Sequence, residues 1–171
     1  MGDCALVEAG GIDIVLAFKA LDAQVLDPYV ESPSTPKIGR STVSLPSGIV
    51  PVDYGYVTLN YDKAWFAKKG LAVPRSLDDL TQPAYAKLLV VPNPATSSPG
   101  NAFLLATISA MGEERAFAWW ALMRANGVKV AKGWSEAYYT DFSHNGGARP
   151  LVVSYASSPA AEVFYSKTKV T

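Results

Sequence analysis

Apolar and polar residues recur along the chain at two spacings, one typical of strands and one typical of helices. Short apolar or alternating runs predict strands at residues 13–18, 54–61, 88–91, 128–130 and 150–155. Apolar residues at helical spacing predict helices at 20–26, 63–69, 99–111, 113–125 and 135–142. A further short helix is expected to start at Ser76 and to end where Pro83 interrupts it. This alternation predicts an α/β fold with a largely parallel sheet flanked by helices.

The helix predicted at 113–125 is separated from the preceding helix by Gly112 and is rich in large apolar residues. Four of them are expected to line one buried face: Phe117, Trp120, Leu122 and Met123. The adjacent Trp119 and Trp120 are interpreted as core and half-buried packing residues, because tryptophans pack far more often than they bind ligands. No role in binding is assigned to them.

Charge and cysteine content exclude several functions. The 15 lysines and arginines equal the 15 aspartates and glutamates in number and are scattered singly, so neither nucleic acid nor an anionic membrane is an expected partner. No apolar run approaches the ~20 residues that a spanning helix needs. The first residues also lack the basic and apolar segments of an export signal. Cys4 is the single cysteine, which excludes an internal disulfide and a cysteine-built metal cluster.

The loop at residues 93–101 joins a predicted strand to a predicted helix and is built from small polar residues. Hydroxyls of Thr96, Ser97 and Ser98, with the free amides of the first helical turn, could converge on an anionic or hydroxylated ligand. Gly100 would allow a close backbone approach at this helix start. The alternative is an ordinary N-cap loop in which a serine satisfies the free amides and Pro99 begins the helix.

Two further segments, 133–139 and 154–162, place aromatic rings beside hydroxyls or a carboxylate. Trp134 and Tyr138 are four residues apart, so both rings could reach one edge of the domain and form a wall for a cationic heterocycle. Glu136 would add a negative charge. Alternatively, Trp134 packs in the core and Glu136 is a solvated carboxylate. Ligands of parallel sheets bind at the carboxyl ends of strands, where residues 96–100 and 155–158 are expected to lie.

Together with Val-Pro-Val-Asp-Tyr-Gly-Tyr-Val at 50–57, these segments resemble the thiamine-binding substrate-binding proteins of bacterial ABC importers, in the same order along the chain. The resemblance covers about residues 50–162. It implies that the serine loop holds the phosphate or hydroxyethyl end of the vitamin and that the aromatic residues contact its rings. The ligand-binding residues expected from this resemblance and from the residue pattern are Ser97, Ser98, Gly100, Trp134, Glu136, Tyr138, Tyr155, Ser157, Asp53 and Tyr54. Asp53 and Tyr54 are interpreted first as hinge residues.

The resemblance also implies a domain organisation and partners. Residues 1–45 would be a partial first-lobe segment with a connecting loop, 46–157 the second lobe of a periplasmic-binding-protein fold with its hinge strands, and 158–171 the start of the return to the first lobe. The expected partners are thiamine or its phosphates and the membrane permease of the transporter, with no cofactor and a periplasmic or extracytoplasmic location. Exposed hinge strands further suggest a homodimer.

Two positions depart from the family pattern. Phe18 and Lys19 stand where close relatives carry an acidic pair, so an ammonium replaces a carboxylate that could face a cationic ligand. Ala161 stands where some relatives carry an aromatic residue, two places after the Ser-Pro pair. The positive charge of Lys19 would oppose a cationic ligand, and both changes bear on the affinity and the identity of the ligand.

Two other functions compete with binding of thiamine. The adjacent phenols Tyr138 and Tyr139 could bind ferric ion, since phenolates suit a hard cation. A thiamine-degrading transferase would need an activated nucleophile, but the sequence offers neither a base beside Cys4 nor an orienting partner for His144. Binding without catalysis is therefore the leading interpretation.

Overall fold

The computed structural model describes residues 55–165 and Asp22, and the chain divides into two units between Tyr54 and Gly55. The strands and helices named below all belong to the second unit and lie within residues 55–165. The strands are β1 Val57–Tyr61, β2 Leu89–Pro92, β3 Lys129–Ala131 and β4 Leu151–Tyr155. The α-helices are α1 Lys63–Lys69, α2 Leu77–Thr81, α3 Pro83–Ala86, α4 Ser98–Met111, α5 Glu113–Ala125 and α6 Ser158–Tyr165. A π-helix, Glu136–Asp141, and a 3₁₀ turn, Ser143–Asn145, precede β4.

The four described strands form one sheet in the order β1-β4-β2-β3. Strand β2 runs parallel to both β3 and β4, and β1 runs antiparallel to β4. The α/β fold with a largely parallel sheet is therefore confirmed. The carboxyl ends of β2, β3 and β4 meet at one edge, and the amino end of β1 joins them because Val57 pairs with Tyr155.

Strand β2 and the first three residues of β4 are apolar because both faces of the sheet are covered. Leu89 and Val91 of β2, like Leu151 and Val153 of β4, point to a core that contains Phe66, Phe103, Trp119 and Met123 from the α-helices. The alternate residues Val90 and Val152 point to a second core, which contains Ala137, Tyr138 and Phe142. The π-helix segment therefore packs on the face of the sheet opposite to α1, α4 and α5.

The buried face of α5 differs from the predicted one. Phe117 and Leu122 are 51% and 47% exposed, whereas Trp119 is 6% exposed and Met123 is fully buried. The inward residues Ala116, Trp119, Trp120 and Met123 follow helical spacing, and Phe117 and Leu122 lie outside that stripe. The prediction for Trp119 and Trp120 as packing residues is confirmed: the Trp119 indole donates to the carbonyl of Leu77 (2.9 Å) and the Trp120 indole donates to Thr107 Oγ1 (2.9 Å).

Several predictions concern residues that the structure does not describe. The strand at 13–18, the departure at Phe18 and Lys19, and the candidate contacts Asp53 and Tyr54 all lie outside the described residues. The domain boundaries that follow from them stay predictions. Among the helices within the described residues, none has the length and apolar character needed to cross a bilayer.

Candidate functional site

Three loops meet at the edge of the sheet where β2, β3 and β4 end. The hydroxyl of Thr96 donates to the carbonyl of Lys132 (2.7 Å), and the amide of Asn93 donates to the carbonyl of Ala131 (2.9 Å), so the loops after β2 and β3 are bonded to each other. The amide of Ala156, directly after β4, donates to the carbonyl of Tyr56 (2.9 Å). We call this assembly, residues 93–98, 132–135 and 155–158, the carboxyl edge.

The serine loop ends at Ser97, which occupies the N-cap position of α4 with an extended backbone but makes no side-chain capping bond. The described residues provide no hydrogen-bond partner for the hydroxyls of Ser97 and Ser98, and both residues are half-buried. Two other helices of the unit have side-chain caps, since Asp62 accepts from the amide of Trp65 and Ser76 from the amide of Asp79. Helices α3 and α5, like α4, have none. The N-cap interpretation is therefore correct for the position of Ser97 and for Pro99 in the first helical turn, but wrong for the capping bond, because no serine hydroxyl satisfies the free amides.

Thr96 differs from its two neighbours. Its hydroxyl donates to Lys132, so it fastens two loops together and does not offer its proton to a ligand. The sequence grouped three equivalent hydroxyls, and the structure separates one structural hydroxyl from two that have no partner. A contact across 36 residues of sequence is not visible in a local motif.

Gly100 holds the start of α4 against the end of β2. A Cβ atom at this position would lie 2.2 Å from the carbonyl oxygen of Pro92 and 2.8 Å from its carbon. Because both contacts are backbone atoms, no side chain can be accommodated without moving the helix. Gly100 therefore positions the serine loop through close backbone packing, as its predicted place at the helix start suggested.

Four rings form an aromatic wall at the carboxyl edge: Trp134, Tyr138, Tyr139 and Tyr155. Trp134 and Tyr138 stack with ring centroids 5.0 Å apart and an interplanar angle of 17°, and Tyr139 meets Trp134 edge-on at 5.3 Å. Tyr155 lies 6.5 Å from Trp134. Tyr138 is 2% exposed, Trp134 is half-buried and Tyr139 is 54% exposed. Trp134 therefore packs against the second core and also stands at the carboxyl edge, so the two interpretations of this residue are compatible.

A buried chain of hydrogen bonds fixes the indole of Trp134. Its Nε1 donates to Ser154 Oγ (2.8 Å), and the hydroxyls of Ser154 and Ser158 share a further bond (2.8 Å). Ser154 is fully buried and Ser158 is 7% exposed. Sequence reasoning missed both serines as site-positioning residues. The available signal was a lone hydroxyl within the apolar strand β4, since a buried polar group requires a partner.

The π-helix that carries Tyr138 and Tyr139 is stabilised by its own backbone hydrogen bonds and by an ion pair to the sheet. The amide of Phe142 donates to the carbonyl of Ala137 (3.0 Å), which is the wide spacing of a π-helix. Asp141, at the end of this helix and 8% exposed, pairs with Lys129 of β3 through Oδ1 at 2.5 Å. The ion pair joins the support of the aromatic wall to the sheet.

The remaining predicted site residues have different surroundings. Glu136 accepts from the amide of Lys132 (2.9 Å) and so closes its own loop, rather than standing as a solvated carboxylate without a partner. Tyr155 is half-buried, and its carbonyl accepts from Asn60 Nδ2 (3.2 Å). Ser157 is exposed, and its carbonyl accepts from the amide of Ala161 at the start of α6.

Tyr138 has a perturbed pKa. Burial, followed by the charge of Glu162 and the phenol of Tyr139, raises the pKa of Tyr138 to about 12. The neutral phenol is therefore strongly favoured at pH 7, and a phenolate ligand for ferric ion is disfavoured. No group of three or more histidine, cysteine or carboxylate side chains within the described residues could hold a metal. The ferric alternative has no support from this geometry.

The raised pKa of Tyr138 predicts a specific loss of stability in alkali. The folded state holds the phenolic proton more tightly than the unfolded chain, so this contribution is complete below about pH 10 and is lost as the pH rises through about 12. Between about pH 10 and 12, urea unfolding should show a stability loss for the wild type that exceeds the loss for Tyr138→Phe. The full effect across the window is about 1–3 kcal/mol. Equal losses in both proteins would contradict the assignment.

The α/β fold of the described residues is that of periplasmic solute-binding proteins. The chain belongs to the family of bacterial extracellular solute-binding proteins, whose sequence profile matches residues 11–170. The most similar curated relatives include thiamine-binding periplasmic proteins. One from Brucella abortus is 35% identical over 138 residues, which are 77% of this chain and 38% of that protein. One from Escherichia coli K12 is 34% identical over 162 residues, 91% of this chain and 46% of that protein.

Solved structures give a consistent comparison. A periplasmic thiamin binding protein matches with a TM-score of 0.60 and 31% identity, over 88% of this chain and 45% of its own. A second periplasmic binding protein, at a TM-score of 0.52 and 22% identity, shows the fold alone. The chain thus spans less than half the length of the relatives it matches.

Proposed function

We propose that this chain provides a lobe of the solute-binding component of a bacterial ABC importer for thiamine and its phosphate esters. The observation that carries the proposal is the pairing, at one carboxyl edge, of two unpartnered serine hydroxyls with the Trp134–Tyr138 stack. The similarity to thiamine-binding periplasmic proteins supports this choice of ligand.

The two parts of the carboxyl edge suit the two ends of such a ligand. The positive end of the α4 dipole, its free amides and the hydroxyls of Ser97 and Ser98 favour a phosphate or a hydroxyl group. The faces of the aromatic wall favour a cationic ring, by about 0.5–2 kcal/mol for each well-placed ring. In this arrangement Trp134 and Tyr155 contact the rings of the ligand, while Tyr138 supports Trp134 from behind.

The proposal extends to the setting of the whole protein. The relatives are named as binding proteins and as periplasmic, which favours an extracytoplasmic location, a membrane permease as partner and binding without turnover. The transferase alternative has no support: Cys4 lies outside the described residues, and His144 is exposed beside the ring of Phe142. The comparisons give no support to the predicted homodimer, and the proposal does not include it.

Isothermal titration of the 171-residue chain with thiamine and with thiamine monophosphate tests the proposal directly. We expect both ligands to bind with 1:1 stoichiometry, more weakly than to a complete two-lobed relative, because a ligand covered from one side buries less surface. The absence of heat and of any fluorescence change with either ligand at millimolar concentration would refute the proposal.

Replacing Ser98 by alanine should weaken the binding of the phosphate end of the ligand more than the binding of its rings. Because the Ser98 hydroxyl lies at the positive end of α4, its loss should weaken the binding of thiamine monophosphate by about three- to tenfold and the binding of thiamine by less. Titration of both ligands measures the difference. Ser109→Ala is the matched control, since Ser109 is an exposed residue of the same helix at its other end. Equal losses for the two ligands would contradict the role of Ser98.

A further inference from the structure

Helix α6 presents a carboxylate toward the aromatic wall. Its first residue, Ser158, is buried and bonded to Ser154, which in turn accepts from the indole of Trp134. Glu162 lies four residues later, so it shares the face of α6 on which Ser158 lies, about 6 Å further along the helix axis. Its burial agrees, since Glu162 is half-buried between the exposed Ala161 and Val163.

The electrostatic environment supports the same placement. The charge of Glu162 is the second largest cause, after burial, of the raised pKa of Tyr138. That phenol stacks on Trp134, so Glu162 lies within electrostatic reach of one ring of the aromatic wall. The other carboxylates on the same face of the sheet already have partners: Asp141 pairs with Lys129, and Glu136 accepts from the amide of Lys132.

Glu162 itself has no cationic partner among the residues that the structure describes. An unpaired carboxylate beside stacked aromatic rings is a combination that suits an organic cation, because the rings attract the cation through their faces and the carboxylate attracts it through its full charge.

We propose that Glu162 is the counter-charge for the cationic ring of the ligand and determines the preference of this lobe for a quaternary nitrogen over an uncharged heterocycle. This inference rests on the proposed function and makes it more specific. The anionic end of the ligand lies at Ser97 and Ser98, and the cationic end lies between Glu162 and the aromatic wall. The lobe thereby distinguishes the two ends of a zwitterionic guest.

The test compares a charged and an uncharged ligand on the same variants. Thiochrome, the uncharged tricyclic oxidation product of thiamine, lacks the quaternary nitrogen but retains its aromatic surface. Glu162→Gln keeps the size of the side chain and removes its charge. We expect the Kd of thiamine to rise about three- to tenfold in this variant and the Kd of thiochrome to stay within about twofold of the wild-type value. The thiamine Kd of the variant should also depend less on salt.

Glu114→Gln is the matched control, because Glu114 is an exposed carboxylate in the first turn of α5. Ultraviolet titration of the phenols adds a readout that needs no ligand: Glu162→Gln should lower the pKa of Tyr138 relative to the wild type. Unchanged thiamine affinity, or equal losses for thiamine and thiochrome, would overturn the role of Glu162 while leaving the proposed function intact. Failure of the wild type to bind thiamine would instead refute the proposed function, and this inference with it.

Discussion

Replacing Gly100 by alanine should destabilise the protein by about 3 kcal/mol, the upper range for a forced overpacking. The added Cβ would meet the carbonyl oxygen of Pro92 at 2.2 Å, and neither α4 nor β2 can yield without losing core contacts. Phe103, which follows in α4, is part of that core. Urea unfolding measures the change, and binding of thiamine monophosphate should fall as well, because the displaced helix start carries Ser98.

Gly133→Ala is the control for this experiment. Gly133 lies at the same carboxyl edge, yet a Cβ atom there would meet nothing within 4 Å, and its backbone does not require a positive φ. The free energy of unfolding of Gly133→Ala should therefore differ from that of the wild type by less than about 0.5 kcal/mol. A Gly100→Ala protein that is as stable as Gly133→Ala would show that the approach of α4 to β2 is looser than described.

Replacing Trp134 by alanine should weaken thiamine binding by at least about tenfold, the equivalent of about 1.4 kcal/mol. The indole stacks on Tyr138, meets Tyr139 edge-on and stands at the carboxyl edge, so its removal opens the centre of the aromatic wall. Calorimetric titration measures the loss. Circular dichroism and urea unfolding should show that the variant still folds, since Trp134 is only partly buried against the second core.

Two further variants separate the possible causes of that loss. Trp134→Phe keeps a ring but cannot donate to Ser154, so it should lie between the wild type and the alanine variant in affinity. Phe117→Ala removes an exposed ring of α5 and should leave affinity unchanged. If Trp134→Ala bound thiamine with wild-type affinity, the aromatic wall would not be part of the binding site.

The fold could be predicted well where periodicity is strong. The apolar runs of β2 and β4 and the long helices α4 and α5 occur close to their predicted bounds. The inward face of α5 could not be read correctly, because Phe117 and Leu122 are as apolar as the residues that are buried. Which stripe faces inward depends on the neighbouring α4 and α2, and a single helix carries no information about its neighbours.

The candidate site could likewise be predicted only in part from the sequence. Trp134, Tyr138 and the serine loop follow from local motifs, because strand ends and helix starts are visible in the sequence. The chain from Trp134 through Ser154 to Ser158 joins residues that are 20 and 4 positions apart, and it depends on how β4 lies beside the π-helix segment. The loop-closing role of Glu136 and the fastening role of Thr96 likewise depend on distances that only the folded chain provides.

The side chains of β4 alternate between the two cores, and this alternation depends on the length of the strand. Leu151 and Val153 serve one core, while Val152 and Ser154 face the other, where Ser154 receives the indole of Trp134. Insertion or deletion of one residue would turn every following side chain to the opposite face, so the serine would enter the helix-side core and Trp134 would lose its acceptor. Many substitutions in this strand preserve that arrangement, but a change in its length does not. The assignment of each side chain of β4 to its core therefore depends on the length of the strand more than on any single residue.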